Sequence, residues 1–189
     1  MKLGALTLLI VSGPLTTAAS AQSVFTAQLS GFQEAPVVVS AGTGHARLTI
    51  SDDETSIAWE LTYSGLEGST IPNGQVTQAH IHVGQRNVSG GIAVFFCGGP
   101  LPPGPITRPA CPASGTISGT WHAEDVVGPT AQGVDPTNPN NENAFERLIK
   151  AIRSSRAYAN VHSTRSPAGE IRGQLVRAHD NNDNESHNR

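Results

Sequence analysis

The chain has 189 residues, with 12 Lys and Arg against 15 Asp and Glu, and a formal net charge of −3. Charged residues reach only 14% while Gly (20) and Pro (13) are in surplus, which excludes a coiled coil or long helical bundle rich in Ala, Glu, Lys and Leu. A pI near 6.1 leaves no basic footprint and excludes nucleic acid as a partner. One compact, turn-rich, all-β domain remains.

The start reads as an export leader rather than as fold. Met1-Lys2 is followed by an apolar run from Leu3 to Val11, then by Ala19-Ser20-Ala21. That order predicts a signal peptide over 1–21, cleaved after Ala21, and a periplasmic or extracellular protein. The run is too short for a transmembrane segment, and Ser12, Gly13 and Pro14 interrupt it. A domain over 22–178 should follow, with a disordered polar tail over 179–189.

Within the domain, apolar and polar residues alternate in short runs bounded by turn residues. Phe25, Ala27 and Leu29 form the first run, Ala46, Leu48 and Ile50 the second, and Ile57, Trp59, Leu61 and Tyr63 the third. Further strands are expected at Val76–Val83, Ile92–Phe96, Ile117–Trp121, Tyr158–His162 and Ile171–Val176. About eight strands at this spacing predict a β-sandwich or a partly closed barrel. Between the fifth and sixth, Cys97 and Cys111 bracket a Pro-rich loop. An even cysteine count in an exported chain predicts a disulfide. Before the seventh, Ala144, Phe145, Leu148, Ile149 and Ile152 make an apolar stripe at helical spacing, predicting one short helix over about 143–153. Asn141 or Asn143 would cap it.

Two segments carry candidate chemistry. In Gln78-Ala79-His80-Ile81-His82-Val83, strand alternation turns Ala79, Ile81 and Val83 to the core, and His80 and His82 together to the other face. Two strand residues span about 6.6 Å, close enough for two imidazoles to converge on one zinc or copper ion. In Ala157-Tyr158-Ala159-Asn160-Val161-His162, small apolar residues again alternate with polar ones. After a turn at Ser166–Gly169 the chain returns through Glu170, Arg172 and Gln174. Paired as a hairpin, these runs would present Tyr158, Asn160, His162, Glu170, Arg172 and Gln174 on one face. If this hairpin lies beside the His80/His82 strand, three imidazoles meet. The competing reading is a hydrogen-bonded network serving structure alone. Ser163 and Thr164 adjoin His162 but, as strand neighbours, give no catalytic triad.

At these residues the sequence resembles the chordin-type CHRD domain family. The resemblance runs through Phe25–Gly31, Glu34-Ala35-Pro36, Gly42–Ala46, Ala79–Gly84, Tyr158–Ser163 and Pro167–Leu175, roughly residues 24 to 176. Val37 stands where the family often has a second Pro, and Ser163 where it often has Thr. The resemblance implies an immunoglobulin-like, Greek-key β-sandwich, and a weaker similarity to copper/zinc superoxide dismutases centred on the His-x-His strand. A two-metal dismutase centre needs about six histidines and an Asp, with one imidazole bridging the metals, and no stretch supplies the bridge; a single-metal site remains. The expected function is an exported, non-catalytic binding or surface module for a protein or small ligand. The alternative is a copper- or zinc-binding protein, with redox activity open to it, using His80, His82 and His162. Around that site Tyr158, Asn160, Glu170, Arg172 and Glu34 would form a supporting polar network.

Overall fold

The computed structural model describes residues 23–100, 108–138 and 143–178. The expected leader and tail lie outside them. Nine antiparallel strands form the domain: β1 (Ser23–Ser30), β2 (Thr43–Ile50), β3 (Ile57–Ser64), β4 (Val76–Val83), β5 (Gly91–Gly98), β6 (Gly115–Trp121), β7 (Ala157–Ser163), β8 (Ile171–Gln174) and β9 (Val176–Arg177). A single helical turn, α1 (Glu67–Thr70), the helix α2 (Ala144–Arg153) and short 3₁₀ turns at Gly31–Gln33, Ala123–Asp125 and Thr130–Gln132 complete it among the described residues. The strand expected over Ile171–Val176 is thus broken at Leu175, and its last piece pairs with β1.

The ladder is one continuous sheet in the order β5-β4-β7-β8-β1-β2-β3-β6. It is strongly curled, and its two end strands meet. The Trp121 indole on β6 donates to the Phe95 carbonyl on β5 at 2.8 Å. Beside that bond Trp59, Phe96 and Trp121 cluster with ring centroids 4.8–5.3 Å apart, Trp59 stacked on Trp121 and edge-on to Phe96. Two of the expected core runs are fully inward: Phe25, Ala27 and Leu29 on β1, and Ala46, Leu48 and Ile50 on β2, are all buried. Ile81 of β4, Val94 and Phe96 of β5, Val161 of β7 and Ile171 of β8 meet them in the same core.

The helix stripe falls where the spacing placed it. Ala144, Phe145, Leu148, Ile149 and Ile152 are all buried. Asn143 is the cap, its side chain accepting from the Phe145 amide at 2.9 Å. Cys97 and Cys111 form the expected disulfide, tying the end of β5 to the segment entering β6. Among the described residues no helix is long and apolar enough to cross a membrane.

Candidate metal centre

The registers of three neighbouring strands build the site. β4 pairs with β7 so that His80 faces Asn160 and His82 faces Tyr158, with Gln78 beside His162. β7 pairs with β8 so that Asn160 faces Arg172 and Tyr158 faces Gln174. Ala79 and Ile81, and Ala157, Ala159 and Val161, fill the core side. The polar side chains therefore share the opposite face, as alternation requires.

That face is not solvated. His80 is fully buried and His82 and His162 are nearly so. Phe95, opposite His80 on β5, lies edge-on to the His80 ring at 5.2 Å. Arg108, from the disulfide-closed segment, lies 3.8 Å over the Phe95 ring and donates to the Gly98 and Pro100 carbonyls. Neither residue announced itself in the sequence. Phe95 would have followed from the β4–β5 register, which a bulge between Ala79 and His80 shifts.

The three imidazoles converge. Ring centroids are 4.4 Å apart for His80 and His82, 4.5 Å for His80 and His162, and 6.4 Å for His82 and His162. One nitrogen from each lies within 4.8 Å of the other two. Two donors sharing an ion at about 2.1 Å can be no more than about 4.2 Å apart, so a small ring tilt completes the fit.

Protonation favours the same reading. His82 Nδ1 lies 2.8 Å from the Gly90 carbonyl, and His162 Nδ1 lies 2.9 Å from the Pro167 carbonyl. A carbonyl only accepts, so each Nδ1 carries the proton and each Nε2 keeps its lone pair. Both Nε2 atoms, and both nitrogens of His80, are buried without a hydrogen-bond partner. Burial lowers all three pKa values, His82 to about 4 and His80 much further, with the neighbouring imidazoles adding to the effect on His80. Three buried imidazoles with free nitrogens facing one another could together donate to one metal ion, and backbone carbonyls that hold the far nitrogens would orient such donors. Among the described residues no carboxylate or thiol joins the three.

A polar network flanks them. Tyr158 stacks on His82 with centroids 4.6 Å apart, and its hydroxyl accepts from the Gly90 amide. Gly90 thus fixes both side chains. Arg172 lies 3.4 Å over the Tyr158 ring and donates to the Gln85 carbonyl. Asn160 donates to Glu34 at 2.6 Å and to the Ile171 carbonyl at 2.9 Å. Burial pushes the Glu34 carboxyl up to about 7, with the Asn160 hydrogen bond, Arg172 and the Ala35 amide pulling the other way. Gly169 (φ +128°) must be glycine here, because a Cβ would sit 2.6 Å from Glu34 and 2.8 Å from Asn160.

Glu170 is the departure from expectation. Alternation put it on the histidine face, but it accepts from Ser163, on the opposite face from His162. Its other donors are Ser40, at 2.8 Å, and the amides of Glu67 and Gly68. Alternation holds only inside a ladder, and β8 begins one residue later, just after the turned backbone of Gly169. Glu170 therefore ties α1 and the 40s loop to β7 and has no place around the imidazoles.

The CHRD domain model matches residues 25–175. The chain belongs to the CHRD domain family. The match spans nearly all of the described fold and includes every residue of the candidate site. No curated protein and no solved structure gives a significant match to the chain. Of the other histidines, His45 lies on β2 and His122 caps the 3₁₀ turn after β6. Among the described residues, the three-histidine group is the only cluster of its kind.

Proposed function

We propose that this CHRD domain is an exported, non-catalytic binding module whose ligand is one copper or zinc ion held by His80, His82 and His162. The observation that carries the reading is the set of buried imidazole nitrogens that face one another and have no other partner. A network serving structure alone would satisfy those atoms, since a buried polar group left unpaired costs about 1–3 kcal/mol. Tyr158 and the Gly90 and Pro167 carbonyls then act by orienting imidazoles. Glu34, Asn160 and Arg172 hold Tyr158 and the β7–β8 hairpin in place.

One contact supports the non-catalytic half: Ser163 is committed to Glu170 rather than to His162. Export is supported by the leader pattern at 1–21 and by the Cys97–Cys111 disulfide. The finer Greek-key sandwich reading draws support from the strand order, in which the β3–β4 and β6–β7 connections cross between distant strands of the ladder.

The test is metal titration of the folded apo-protein, monitored by competition with a coloured chelator and by metal analysis. One equivalent of copper or zinc should bind, and the His80→Ala/His82→Ala double variant should lose it, with affinity falling at least about 100-fold. Equal metal content in the folded double variant would remove these residues as ligands. Absence of binding to the wild-type protein at micromolar metal would leave a module for some other ligand.

A further inference from the structure

We propose that the three-histidine pocket selects Cu(I), bound by three imidazole nitrogens alone, over Zn(II) and Cu(II). The inference rests on the metal reading above and adds the ion's charge and coordination number.

Coordination number comes first. The pocket offers one nitrogen each from His80, His82 and His162, and no carboxylate or thiol among the described residues comes near enough to join. The donor atoms are shut from solvent by the Phe95 ring on one side and by Tyr158 on another. Zinc on three protein ligands keeps a fourth position for water, and Cu(II) prefers a tetragonal set of nitrogen and oxygen donors. A closed pocket of three donors satisfies neither. It does satisfy a d¹⁰ monocation, which is content with three ligands.

Charge points the same way. All three donors are neutral, so the bound ion keeps its whole charge in a buried site, where the desolvation cost grows with the square of that charge. The side chains nearest the pocket add positive charge. Arg108 reaches it through Phe95 and Arg172 through Tyr158. The acids that could compensate are turned elsewhere: Glu34 is bound to Asn160, and Glu170 is bound to Ser163 on the other face of the sheet. A dication feels twice the repulsion from each arginine that a monocation does.

The experiment is anaerobic loading of the full chain with one equivalent of Cu(I), in competition with Zn(II) and then in air. Copper should remain bound against a tenfold excess of Zn(II), and the sample should stay silent in electron paramagnetic resonance after exposure to air. Arg108→Gln should tighten Zn(II) binding about fivefold or more, with a smaller change for Cu(I). Displacement by zinc, or growth of a nitrogen-coordinated Cu(II) signal in air, overturns the Cu(I) assignment and leaves the metal reading standing. An unchanged Zn(II) affinity in folded Arg108→Gln overturns the charge argument for it. A protein that takes up none of the three ions overturns the metal reading itself.

Discussion

Below about pH 6.5 an unfolded chain protonates its histidines, whereas the folded domain holds His80, His82 and His162 neutral by burial. The folded state then binds fewer protons than the unfolded one. The stability these groups contribute is complete above the unfolded pKa and is lost as pH falls. For His82, with its pKa near 4, the loss between pH 6.5 and 4 is about 3 kcal/mol. Glu34 works in the opposite sense. Its carboxyl, raised to about 7, takes up a proton more readily in the folded state, so its contribution is present below about pH 4.5 and lost as pH rises through 7. The metal-free protein should therefore show a urea midpoint that drops through this acid range. His82→Gln should flatten the drop and Glu34→Gln should steepen it. Equal pH slopes in wild type and His82→Gln would show that His82 is not held neutral by the fold. The residue types and the His-x-His spacing were legible in the sequence. The tautomers were not, because the Gly90 and Pro167 carbonyls that set them belong to turns whose shape alternation does not encode.

At the scale of elements, Glu170 joins parts of the fold that no ladder connects. One carboxylate accepts from Ser40, from Ser163 and from the Glu67 and Gly68 amides at the start of α1. Burial alone would raise its pKa, but the hydrogen bonds from Ser163, Ser40, Glu67 and Gly68 outweigh it and hold the group below its ordinary value. Glu170→Ala should cost about 3 kcal/mol or more, since it strands several donors at once. Metal uptake by the folded fraction should not change, because the carboxylate lies on the far face from His162. Loss of metal affinity in folded Glu170→Ala would contradict that placement. The same region marks how far pattern reading goes. Strands β1 to β3 and the β7–β8 hairpin follow from strict alternation between turn residues. α1 has four residues and no periodic stripe, so nothing local predicts it. Glu170 was misplaced because the ladder starts one residue beyond it.

Over the whole molecule, closure of the sheet decides how the site is covered. Alternation predicts a β-sandwich or a partly closed barrel; in the structure the strands run as one continuous, curled sheet, and the end strands β5 and β6 are joined by side chains. Local alternation is blind to this, because the Trp121–Phe95 bond and the Trp59–Phe96–Trp121 cluster link residues far apart in sequence. The disulfide acts at that same seam. Cys97 is the last residue but one of β5, two after Phe95, and Cys111 follows Arg108 by three, so the bridge holds both residues near His80. On the chain-entropy account, a loop of this length stabilises the fold by about 3 kcal/mol. The Cys97→Ser/Cys111→Ser variant should therefore unfold at lower urea by that amount, at neutral pH and without metal. It should also release bound metal faster than wild type, because Arg108 and Phe95 are no longer held over the imidazoles. Reducing the disulfide of the metal-free wild-type protein with a phosphine reductant should reproduce the loss of stability, and the double variant should not respond to it. A variant with wild-type metal release but reduced stability would confine the bridge to the seam and separate the cover from the disulfide.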